Sequence, residues 1–96
     1  MRVLMIHYRV DDRDVAEVTA AVEAALAALA TAPPAGVRFE YYRVAGQGEF
    51  VGLLRLDEGV ENPLPNIAAM RALQSTVAER AIGGPPMPRP LERIGS

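Results

Sequence analysis

Few residues in this chain are equipped for chemistry. His7 is the only histidine, so any histidine-based proton transfer must use it. An imidazole titrates near neutrality and, on a strand, could act as a base or hydrogen-bond donor beside a pocket. A strand histidine bonded to a neighbour, or to a second copy of the chain, would look the same. Tyr8, Tyr41 and Tyr42 bring phenols. A phenol can both give and take a hydrogen bond. Aromatics at a core or an interface rim are the plainer account. Arg9, Arg43 and Arg55 fall on strand-like segments and could meet a carboxylate or phenolate; edge arginines paired with Glu40 or Glu92 would read identically. Asn62 stands in a proline-rich loop that could cap a pocket mouth, or simply form a turn.

What is missing narrows the chemistry further. There is no cysteine, which removes disulfides, thiolate metal sites and cysteine nucleophiles and makes a reducing cytoplasm the natural home. One histidine without cysteine cannot build a tetrahedral metal site, so no metal is expected. Ser75 falls mid-helix and Ser96 ends the sequence, neither in a nucleophile-elbow context. Gly46-Gln47-Gly48 is a turn and no phosphate cradle, since no helix follows it. The net charge of −2, a pI of about 5.3 and scattered arginines argue against a nucleic-acid partner. Every basic residue is arginine and alanine is abundant, the coding bias of a GC-rich bacterial genome. The apolar start from Met1 to Ile6 is broken by His7, Tyr8 and Arg9 too early for a signal peptide. The alanine-rich stretch carries Glu23 and is too weak for a membrane span.

These side chains must be carried by elements, and the elements are legible in the periodicities. Val3 to Val10 alternates as a strand, with Val3, Met5, His7 and Arg9 on one face and Leu4, Ile6, Tyr8 and Val10 on the other. Asp11, Asp12 and Asp14 offer cap and first-turn carboxylates for a helix. Its apolar stripe is Val15, Val18, Val22, Leu26 and Leu29, and Pro33-Pro34 ends it. A hairpin follows, Arg38–Ala45 and Phe50–Leu56 about the Gly46–Gly48 turn. The proline-bearing stretch 57–65 reads as a loop. Asn66 is then a plausible cap for a second helix with an inward stripe of Ile67, Met70, Leu73, Val77 and Ala81. The run Gly83–Pro90 cannot continue a helix, and Leu91–Ile94 reads as a short closing strand.

The order β-α-β-β-α-β is the split βαβ, or ferredoxin-like, arrangement: α+β, with a four-stranded antiparallel sheet and both helices on one face. A single domain spanning 1–96 follows from the length, because a chain of this size buries only about 60–65% of its unfolded surface. The second hairpin strand is apolar on both faces, Phe50, Leu54 and Leu56 on one and Val51 and Leu53 on the other. Two helices cover only one of them. The uncovered face would present an apolar patch on the order of several hundred Å2, above what soluble monomers usually show. A two-fold homodimer joined face to face, burying about 800 Å2 per partner, is the expected closed solution.

The opening Met-Arg-Val-Leu-Met-Ile-His-Tyr-Arg, the helix after Asp11-Asp12, the Tyr42 hairpin and the Glu61-Asn62-Pro63-Leu64-Pro65 loop together resemble the dimeric α+β-barrel superfamily. Its antibiotic-biosynthesis-monooxygenase-like branch is the most similar. The resemblance covers nearly the whole chain, in architecture and hydrophobic pattern without a sharp catalytic signature. It implies a homodimer whose two sheets form a barrel, with a small-molecule pocket between sheet and helices in each subunit. It implies a cofactor-independent monooxygenase-like enzyme acting on an aromatic or quinone-like molecule. Tyr42 matches a pocket tyrosine of the cofactor-free oxygenases. Leu53 and Asp57, however, stand where that group has an asparagine and a tryptophan. In the haem-degrading branch His7 could replace a polar first-strand residue, but the second helix lacks the iron-ligating histidine, so no cofactor is expected. The candidate catalytic pair is Tyr42 and His7, with Arg9, Arg43, Arg55 and Asn62 as ligand contacts. The alternative is a dimeric module that binds a small molecule, or serves structurally, without catalysis.

Overall fold

A computed structural model describes residues 1–95, so Ser96 lies outside the described residues. The strands β1 (Arg2–Arg9), β2 (Val37–Arg43), β3 (Glu49–Leu56) and β4 (Arg89–Leu91) and the helices α1 (Val15–Thr31) and α2 (Ala68–Arg80) follow in the order β1-α1-β2-β3-α2-β4. The strands form one sheet ordered β2-β3-β1-β4, antiparallel at every pairing. This is the ferredoxin-like α+β arrangement. Among the described residues no helix is long and apolar enough to cross a membrane.

The alternation of β1 and β3 sorts their side chains onto two faces, as the pleat requires. Tyr8, Phe50, Leu54 and Leu56 turn inward and are buried with Val18, Val22 and Ala25 of α1 and Met70, Leu73 and Val77 of α2. Both helices therefore cover the same face. Across it Leu4 pairs with Leu54, Ile6 with Gly52 and Tyr8 with Phe50. A Cβ on Gly52 would come within 2.8 Å of the Tyr41 ring and 3.1 Å of Ile6. The missing side chain is what lets Tyr41 lie across β3.

Local chemistry sets the element ends, in places differently from the sequence reading. Asp11 accepts from Arg13 N at 3.1 Å and caps a 3-10 turn, Asp12–Asp14, that leads into α1. Gly36 (φ +73) turns the chain into β2, and its carbonyl accepts from Asp57 N at 2.8 Å, fastening the hairpin base.

Asn66 does not cap α2. A 3-10 turn occupies Leu64–Asn66, and Ile67 becomes the N-cap without a side-chain bond. Pro63 is the N-cap of that turn, and just before it Asn62 Oδ1 accepts from Leu64 N at 3.0 Å, an Asx-type bond. The closing strand also lies earlier than expected, at Arg89–Leu91, with Val3 opposite Leu91 and Met5 opposite Arg89. Ile94, expected within it, is almost fully exposed. Prolines keep this segment extended, and an edge strand tolerates Pro90 because alternate N–H groups there need no partner.

Candidate functional site

The sheet divides the candidate residues between two places. On the face away from the helices lie Val3, Met5, His7 and Arg9 of β1 and Glu49, Val51, Leu53 and Arg55 of β3, paired Val3–Arg55, Met5–Leu53, His7–Val51 and Arg9–Glu49. From β2 the same face receives Glu40 opposite Leu53 and Tyr42 opposite Val51. His7 and Tyr42 thus share a face and a row, with Val51 between them, two strand spacings or about 10 Å apart. They do not touch.

Each is engaged by a carboxylate. His7 Nε2 donates to Glu49 Oε2 at 2.5 Å, and Arg9 Nη2 donates to Glu49 Oε1 at 3.1 Å. The bond from His7, helped by the Arg9 charge, holds the Glu49 carboxyl below its usual pKa. The Tyr42 hydroxyl donates to Glu40 Oε2 at 2.5 Å, which makes the phenol harder to ionise than usual. Arg55 lies 3.4 Å from the other Glu40 oxygen. Each of these groups already has a partner on its own sheet.

The three arginines are not brought together. Arg9 and Arg55 stand in separate ion pairs. Arg43, an odd-numbered β2 residue like the inward-packed Phe39 and Tyr41, ends the strand by donating from Nε to Gln47 O at 2.5 Å. It braces the hairpin turn. Nor do the tyrosines act together. Tyr8 is buried and Tyr41 half-buried, while Tyr42 is 51% exposed. The Tyr8 and Tyr41 hydroxyls lie 2.5 Å apart. Burial pushes Tyr8 up to about 12, its bond to Tyr41 opposing the shift. Burial also raises Tyr41, reinforced by the bond to Tyr8. Neither phenol can serve as a base near neutrality.

The second place is a cavity of about 560 Å3 between the inward face of the sheet, α2 and the Pro85–Pro88 segment. Its floor is Leu4, Ile6, Phe39 and Leu54, and its wall is Leu64, Met70, Leu73 and Val77. The floor explains it: Tyr8 and Val10 are buried, whereas Leu4, Ile6 and Phe39 remain only half-buried. The cavity opens over Leu4, Ile6 and Phe39, beside the tightly packed Tyr8 and Val10. The size lies within the range of roughly 300–1,000 Å3 typical of small-molecule sites, and so does the mainly apolar lining with a few polar groups.

Those polar groups are Asn62, Arg71, Gln74 and Ser75. Asn62 both bonds the turn that follows it and lines the cavity. Arg71, Gln74 and Ser75 were missed by sequence reasoning. The signal was present on α2, one step around the helix from the Met70–Leu73–Val77 stripe, but a stripe's border reads as solvated surface unless the sheet beneath stands away. Among the described residues, no histidine, tyrosine or carboxylate lines it. Among the described residues, no group of three or more His, Asp or Glu side chains could hold a metal ion. The chain matches no protein-family model and no curated protein sequence.

Proposed function

We propose that this chain is a small-molecule-binding module of the dimeric α+β-barrel type, taking an apolar, aromatic or quinone-like ligand in the cavity beneath α2. The single observation that carries this reading is the cavity itself, about 560 Å3 with an apolar floor and wall. Its lining offers shape and hydrophobic contact but no group that titrates near neutrality, which favours binding over catalysis there. The open sheet face, with Val3, Met5, Val51 and Leu53 half-buried between charged pairs, is the surface through which two copies pair, leaving both cavities accessible. The bacterial cytoplasm is the proposed setting, in keeping with a cysteine-free chain.

Native mass spectrometry of the full chain with a panel of aromatic and quinone-like compounds tests this. The expected result is a dimer mass carrying up to one ligand per chain. Ala78→Trp, which fills the cavity from α2, should abolish retention. A panel in which nothing is retained, or retention indifferent to Ala78→Trp, would overturn the binding reading.

A second reading, a cofactor-independent monooxygenase-like enzyme, is favoured by one observation. His7, oriented by Glu49, shares a sheet face with Tyr42. In a face-to-face dimer that face would line the barrel. Oxygen uptake with phenolic substrates, lost in both His7→Ala and Tyr42→Phe, would support it; absence of uptake would remove it.

A further inference from the structure

The cavity carries a charge signature that sharpens what it should bind. Among the described residues Arg71 is the only formally charged one in its lining, with no aspartate or glutamate beside it. Its Nη1 donates to the Pro65 carbonyl at 3.0 Å, which ties the guanidinium to the loop forming one side of the mouth. A guanidinium has five N–H donors in a planar fork, and this single bond leaves most of them unused. Other arginines, such as Arg9, Arg55 and Arg80, find carboxylates on the protein. Arg71 has no carboxylate within ion-pair distance among the described residues. Asn62 also lines the cavity, its Oδ1 occupied by Leu64 N and its amide nitrogen without a partner among the described residues.

We propose that the ligand is an amphipathic monocarboxylate, its apolar body on the Leu4–Ile6–Phe39 floor and its carboxylate on the Arg71 guanidinium. This rests on the reading that the cavity binds a small molecule, and adds the head group. One cation beside a protein of net charge −2 matches a single negative charge; a dianionic head would remain half uncompensated. The planar fork suits a carboxylate bidentately. The opposite arrangement, a cationic ligand, would meet Arg71 with no acid in the lining to offset it.

Titration calorimetry of the full chain with naphthoate and with the neutral naphthylmethanol separates the two levels of the claim. Naphthoate should bind about tenfold more tightly than the alcohol, the worth of one charge-assisted contact at a partly exposed site. Arg71→Gln should weaken naphthoate about tenfold and leave the alcohol unchanged, which also shows that the variant is folded. Added salt should weaken the acid selectively. Equal binding of acid and alcohol, or an Arg71→Gln variant with unaltered preference, would overturn the carboxylate assignment while leaving the pocket intact. Failure of both probes to bind would overturn the assignment together with the binding reading beneath it.

Discussion

Tyr8 and Tyr41 illustrate how tightly the inward face is composed. Their hydroxyls satisfy each other at 2.5 Å, Tyr8 stacks on Phe50 at 5.5 Å between ring centroids, and Gly52 makes room for the Tyr41 ring. Tyr8→Phe strands the Tyr41 hydroxyl and should cost about 1–3 kcal/mol in denaturant unfolding, whereas Tyr8→Phe with Tyr41→Phe should cost less than the two singles summed. Gly52→Ala drives a methyl into the ring and should cost about 1–3 kcal/mol. The pair also sets an alkaline limit. Folded Tyr8 keeps its proton to about pH 12, whereas an unfolded tyrosine loses it near about pH 10. The folded state thus binds the extra proton between these values, and its stability is full below the lower one and falls as pH rises toward the upper. Unfolding midpoints followed into alkali should show this decline, and Tyr8→Phe should flatten it.

At the scale of elements, the loop before α2 is the part whose construction bears most directly on the cavity. Asn62 accepts from Leu64 N and fixes the 3-10 turn that presents Leu64 and Pro65 to the cavity. Asn62→Ala removes this side-chain bond and should lower stability by about 1 kcal/mol, measured by thermal unfolding. It should also reduce ligand retention, because Pro65 positions Arg71. The helices themselves were legible in the sequence: Val18 and Val22, then Met70, Leu73 and Val77, recur at helical spacing and are buried as that spacing requires. The start of α2 and the place of β4 were not. Asn66 has the right residue type for a cap, but it lies inside the 3-10 turn that Pro63 caps. Leu91–Ile94 has strand-like composition, yet the free edge of β1 pairs with the proline-bearing segment before it. Both outcomes depend on what the segment meets in space, which local composition does not encode.

For the whole molecule, the open face of the sheet is the feature with the largest consequence. Val51 and Leu53 remain half-exposed at its centre, while the charged pairs His7–Glu49 and Glu40–Arg55 stand around them. If two copies join there, sedimentation should show a dimer that dissociates on dilution. Leu53→Glu, placing a carboxylate opposite Glu40, should give a monomer at every concentration with its unfolding still cooperative. A Leu53→Glu variant that remains dimeric would place the interface elsewhere.

The β-α-β-β-α-β order, the two-faced character of β3 and the residue types available for chemistry were determined by the sequence alone. Periodicity is a local property, and a strand or helix face follows from spacing without knowledge of its neighbours. Even the sharing of one face by His7 and Tyr42 awaited the register across Val51. Only the tertiary structure decided that Arg9, Arg43 and Arg55 are engaged separately, that the candidate pair lies opposite the cavity, and that Arg71 lines the cavity instead. The physical reason is that cavities and pairings arise from gaps and contacts between elements. How far α2 stands from the sheet is set by every packed side chain at once.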